Sequence, residues 1–158
     1  MALEFCLRHN SKCILTLDAF FPSASVFRMA GSVWSVATRQ PLVSLIVRAK
    51  KNYVAYYEAR QEKGSKGRPR KYGMKVYLAE VFDHMHLFEK AQCPVYGRME
   101  DIFIMAENLL WNPTGDFVRF VFAVTGRGPI VLMCSDLGMD PLTAVRLYCA
   151  RTRIETTF

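Results

Sequence analysis

The chain has 158 residues, 51% of them hydrophobic and 22% charged, with 21 Lys and Arg against 14 Asp and Glu for a formal charge of +7. That apolar fraction supports a packed core and excludes whole-chain disorder, and no apolar run approaches the roughly 18 residues of a membrane span. The positive balance points to a polyanionic partner, a nucleic acid or an anionic membrane surface.

In chain order, residues 1–7 carry Glu4 and lack a cationic start, so no secretory signal is expected there. Residues 12–17 read as a short buried strand that stops at Asp18. Pro22 and Ser23 open a helix expected over 23–30, with Val26, Phe27 and Ala30 on one side and Gly31 breaking it. Residues 42–47, β-branched and apolar, form a second strand ending at Arg48, and 53–57 a third. A return strand is expected at 75–78. Further strands are expected at about 101–105, 117–125 and 130–134, separated by the turn residues Asn112-Pro-Thr-Gly115 and Gly126-Arg-Gly-Pro129. Asp140 is a natural N-cap and Pro141 suits the first helical position, so 140–158 reads as one helix. The layout is α/β with a β-rich insertion. Five cysteines, an odd number with no C-x-x-C pair, argue against a disulfide framework or a zinc site and for reduced thiols.

The positive charge is concentrated. Between positions 60 and 75 stand seven cations, Arg60, Lys63, Lys66, Arg68, Arg70, Lys71 and Lys75, against Glu62 alone. Gly64, Gly67, Pro69 and Gly73 make this a loop. Such a loop can lie along a phosphate backbone and release counterions, and Lys66-Gly-Arg-Pro-Arg-Lys71 resembles the Gly-Arg-Pro centre of an AT-hook. It reads either as a DNA contact or as a solubilising hairpin tip. In the last helix Tyr148, Arg151 and Glu155 stand at i, i+3 and i+7, on one face. A carboxylate beside an Arg stays ionised, as a hard cation such as magnesium requires. The same face is also an ordinary salt-bridged helix surface.

Tyr148-x2-Arg151-x3-Glu155 resembles the Y-x2-R-x3-E-x6-K signature of bacterial insertion-sequence transposases of the DDE superfamily. The lead-in Val131-Leu-Met-Cys-Ser-Asp-Leu137, the segment Leu15-Thr-Leu-Asp18-Ala-Phe-Phe21 with its strand-borne aspartate, Leu45-Ile-Val-Arg48, and Gly67-Arg-Pro-Arg-Lys-Tyr-Gly73 resemble further blocks of that family, in the same order. The resemblance implies an RNase H-like fold, here partial, interrupted by a β-strand-rich insertion. It implies core segments at 1–50 and 129–158 and an insertion at 51–128 that carries the basic loop. It implies metal-dependent cleavage and joining of DNA at transposon ends. Asp18 and Glu155 would be catalytic and would ligate Mg2+ or Mn2+, because oxygen donors suit those ions where His and Cys would favour zinc. Tyr148, Arg151, Arg48, Lys66, Arg68, Arg70 and Lys71 would contact DNA. Self-association, often in pairs, and a cytoplasmic, nucleoid-associated location in a bacterium would follow, with no membrane or small-molecule partner.

The pattern is departed from in three places. No aspartate precedes Asp18, and the sole acid there, Glu4, is in no matching motif; the signature Lys would fall at position 162; and Thr152 stands where the family commonly has Trp. The chain is therefore expected to be a fragment that does not cleave DNA alone. Asp136 is a further candidate carboxylate at a strand end, read alternatively as a turn residue. Asp83-His84-Met-His86 has no third ligand nearby and reads as surface or packing, and His9 has no partner to make it a base. Two rivals remain: a non-enzymatic DNA-binding module, and a decayed remnant that forms no cooperatively folding product.

Overall fold

A computed structural model describes residues 2–61, 64 and 67–155, with side chains described over 4–61, 64 and 67–151. The elements are α1 (Ala2–His9), β1 (Cys13–Leu17), α2 (Ala24–Gly31), β2 (Trp34–Ser35), β3 (Gln40–Pro41), β4 (Val43–Arg48), β5 (Val54–Glu58) and β6 (Tyr72–Tyr77). After two 3-10 turns, Glu80–Asp83 and Met85–Leu87, come β7 (Glu89–Val95), β8 (Arg98–Trp111), β9 (Asp116–Thr125), β10 (Gly128–Cys134) and α3 (Pro141–Glu155).

The class is mixed α/β. Among the described residues eight strands form one sheet in the order β1-β4-β10-β9-β8-β5-β6, with β7 joined to β8, and β2 and β3 form a separate ribbon. The pair β1 and β4 is parallel; the other pairings in the sheet are antiparallel. The segments 1–50, 51–128 and 129–158 all contribute strands to this sheet, and the β9–β10 ladder runs from Gly128 opposite Thr125 to Cys134 opposite Arg119.

Side-chain alternation divides the core in two. On one face Leu45, Val47, Phe120, Phe122 and Met133 pack with Cys6 of α1 and Phe27 and Ala30 of α2. On the other, Ile46, Val121, Ala123, Leu132 and Cys134 pack with Ala144, Val145, Tyr148 and Cys149 of α3. Period-2 alternation within strands sends neighbouring residues to opposite layers. Burying both layers drives the three-layer arrangement.

The helix ends follow their sequences. Ser23 accepts the Val26 amide at 3.4 Å, and the helix runs through Gly31 to a cap at Ser32 rather than stopping at Gly31. Asp140 Oδ2 accepts both the amide and the hydroxyl of Thr143 at 2.8 Å. Four helices or strands were not anticipated: α1, β7 and the short ribbon strands β2 and β3. Among its described side chains, α1 buries Cys6 and leaves Phe5 and Leu7 exposed. β7 alternates Ala91, Cys93 and Val95 inward between polar residues, and its Pro94 is tolerated because β7 pairs on one side only, with β8. β8 extends well past the expected 101–105, since its alternation continues through Leu109 and Trp111. No helix among the described residues is long and apolar enough to cross a membrane.

Candidate functional site

The parallel ladder between β1 and β4 runs from Cys13 opposite Val43 to Leu17 opposite Val47, so Asp18 and Arg48 lie just past the last pair, side by side at one end of two strands. Strand parity fixes their direction. Leu15 and Leu17 face the α1/α2 layer and Ile46 faces α3, so Asp18 and Arg48 share the parity of the α3 side.

α3 meets them there. Its Ala144, Val145, Tyr148 and Cys149 are buried against the sheet, which fixes the rotation of the helix. The Tyr148 hydroxyl donates to Asp18 Oδ1 over a long 3.5 Å, and Arg151 Nη2 lies 3.7 Å from Asp18 Oδ2. The Asp18 side chain is 42% exposed and that of Arg151 24%, so the pair opens to solvent rather than being a sealed ion pair. Asp18 Oδ1 also accepts the amide of Ala19 at 2.7 Å. Burial raises the Tyr148 hydroxyl above the ordinary phenol range; the Asp18 charge raises it further, and the Arg48 guanidinium, within reach of the same hydroxyl, opposes both. Tyr148 therefore remains a neutral donor at physiological pH. Residues 130 positions apart thus form one constellation of a carboxylate, a phenol and two guanidiniums.

Two residues beside it carried no functional motif in the sequence. Tyr96, in the turn between β7 and β8, lies beside Arg48, Cys149 and Arg127. Arg127, in the turn between β9 and β10, holds its guanidinium carbon 3.9 Å from the centre of the Tyr96 ring. The sequence marks Arg127 as a turn residue but not Tyr96, and only strand order brings the two turns next to each other.

Other expected residues lie elsewhere. Arg68, Arg70 and Lys71 are exposed on the connection between β5 and β6, which is the opposite edge of the sheet from β1, about six strand spacings or on the order of 28 Å away. Lys66 lies outside the described residues. Glu155 is the last described residue of α3, one turn beyond Arg151, and its side chain is outside those described. Asp136 does not join the constellation. β10 runs antiparallel to β4 with Leu132 opposite Arg48, so Asp136 follows at the other end of the strands, where its Oδ1 accepts the Gly138 amide at 2.9 Å. It is a turn residue. His84 and His86 are exposed with rings 5.9 Å apart, and His9 rests on Phe5. Among the described residues no three His, Cys, Asp or Glu side chains cluster as a metal centre.

Asp18 has the donor chemistry of a hard-cation ligand: an oxygen pair, partly exposed, with Arg151 at only loose ion-pair distance. With guanidiniums on two sides, the cluster equally has the chemistry of a phosphate site. No protein-family model matches the chain, and no curated protein matches it significantly.

Proposed function

We propose that the chain is a DNA-processing protein of the DDE transposase type, in which β1, β4 and α3 present a metal-dependent phosphodiester site and the β5–β6 connection binds the DNA backbone. The observation that carries this reading is the meeting of Asp18 with Tyr148 and Arg151. The resemblance drew these residues from opposite ends of the chain, and they lie within 3.5 and 3.7 Å of one another.

Asp18, with Glu155 from the next turn of α3, would hold magnesium or manganese. Bound there, the ion would supply Lewis-acid polarisation of a phosphodiester oxygen. The chain's own residues position the substrate. Arg151 and Arg48 hold non-bridging phosphate oxygens and neutralise charge that would otherwise be repelled by Asp18. Tyr148 donates from a fixed place, because the body of its ring is packed under the sheet. Two carboxylates fall short of the three that the family's chemistry uses, so this chain binds metal and DNA ends and does not cleave them unaided. The reading carries with it an RNase H-like core with a β-rich insertion, self-association on paired DNA ends, and a cytoplasmic, nucleoid-associated location.

A second reading, a DNA-binding module without metal, is favoured by the two guanidiniums that gather around one described carboxylate. Manganese separates the two. Binding of a duplex with a free 3′ end is measured with and without Mn2+ in the wild type, Asp18→Asn and Glu155→Gln. The transposase reading predicts tighter binding with Mn2+ that is lost in both variants. Affinity indifferent to the metal and to both substitutions would replace it with the module.

A further inference from the structure

We propose that Arg127, stacked on Tyr96, forms with Arg48 a phosphate seat beside Asp18, taking the phosphodiester next to the one held by Arg151. The proposal rests on the DNA-processing reading above and adds two residues that reading does not contain.

The geometry is built rather than incidental. Arg127 is exposed, yet its guanidinium is fixed 3.9 Å over the Tyr96 ring. An exposed Arg ordinarily keeps its rotamer freedom, and ordering it has an entropic cost. Stacking uses the flat face of the group and leaves its in-plane N–H donors suited to grip a phosphate edge-on. The backbone below is held as well. The Arg127 amide donates to Thr125 Oγ1 at 3.2 Å, the Thr125 hydroxyl donates to the Gly128 carbonyl at 3.1 Å, and the Gly126 amide donates to Glu100 Oε2 at 3.0 Å.

Tyr96 is equally constrained. It and Gly97 form a two-residue hairpin between the paired Val95 and Arg98, with φ of +48° and +86°. Both positions lie in the left-handed region, where Asn and Gly are the usual occupants. A Tyr there carries backbone strain, and such strain persists where the surroundings hold it. The surroundings here are Cys149 of α3, Arg48 and Arg127. The strained residue is the platform on which Arg127 rests. The charges facing the seat are Arg48 and Arg127 from the strand ends, Arg151 and Asp18 at its border, and Glu100, whose Oε2 is engaged by the Gly126 amide. Cations outnumber carboxylates three to two, which suits a polyanion.

The test uses the full chain, a duplex oligonucleotide and sodium pyrophosphate as a second probe, with affinities read over a range of salt. Arg127→Ala is expected to weaken duplex binding on the order of tenfold and to lower the salt slope by about 0.9, the share of one phosphate contact. Tyr96→Ala should lose a similar amount, Tyr96→Phe little, and the double Ala variant no more than Arg127→Ala alone. Because Arg127 is exposed, its variant folds even if Tyr96→Ala does not, and melting curves confirm that. An Arg127→Ala protein with wild-type affinity and slope overturns the seat and leaves the transposase reading standing. Pyrophosphate binding that depends on Arg127, in a protein that ignores duplex DNA, keeps the seat and ends the transposase reading. Binding of neither probe overturns both.

Discussion

The two edges of the sheet are built on different terms. At the β1 edge, Asp18, Arg48, Tyr148 and Arg151 come from three elements, and each is aimed by buried neighbours such as Ile46, Val145 and Cys149. At the β6 edge, Arg68, Arg70 and Lys71 sit together because they are adjacent in sequence, on an exposed hairpin connection. The first region is made by the fold and fails with it. The second is made by composition and needs only a scaffold to present it. Precise positioning suits chemistry on one phosphodiester, whereas a string of cations suits the sequence-independent term of DNA binding.

Substitutions can break that contrast. The largest effect is expected from Tyr148→Ala, which removes a buried ring from under the sheet and should cost about 3 kcal/mol or more in denaturant unfolding. Tyr148→Phe should keep the fold and lose the contact to Asp18. Replacing Arg68, Arg70 and Lys71 together by Ala should change stability by no more than about 0.5 kcal/mol. The same triple variant should lower the salt slope of DNA affinity by about 2.7, three contacts at roughly 0.9 each. An unchanged slope would remove the hairpin from the interface.

Gly73→Ala tests whether that hairpin is more than a string of charge. A Cβ at Gly73 would sit 2.9 Å from the Glu58 carbonyl oxygen and 3.1 Å from that of Tyr57, both backbone atoms that cannot swing away. A loss of about 1–2 kcal/mol is expected in thermal unfolding.

A modest loss, below that of Tyr148→Ala, is expected at the cap of α3. Asp140→Ala should cost about 1 kcal/mol at pH 7. The Thr143 amide and hydroxyl hold the Asp140 carboxyl below its ordinary value. A depressed carboxylate stabilises the fold fully above its unfolded pKa, about 3.9, and the contribution disappears as pH falls through the folded value. The difference between wild type and variant should therefore shrink as pH falls below about 4; a difference that stays constant would deny the cap.

Much of the fold was legible from local signals. The apolar runs at 12–17 and 42–47 and the Ser23 and Asp140 caps predict the elements that frame the site. β7 and α1 were not, because a half-polar edge strand with Pro94 and a helix of only eight residues leave short patterns. The Tyr148–Arg151 face could be named from a signature spacing, and Asp18 from the resemblance of the block Leu15-Thr-Leu-Asp18-Ala-Phe-Phe21. Arg127 and Tyr96 could not. Each sits in a hairpin turn with no functional motif, and their contact exists only because β7 and β10 bring two hairpins to the same end of α3. For Asp136 the turn reading agrees with the structure: its position at a strand end looks like that of Asp18, but β10 runs the other way and delivers it to the opposite end of the sheet.

The central claim is that β1 and α3 share one ion-binding and phosphate-binding site. It is tested most directly by adding Mn2+ to isotope-labelled protein and following paramagnetic broadening of its NMR signals. Broadening centred on Asp18 and Glu155, spreading to Tyr148, and abolished by Asp18→Asn is the predicted result. Broadening elsewhere, or none at Asp18, would contradict the account.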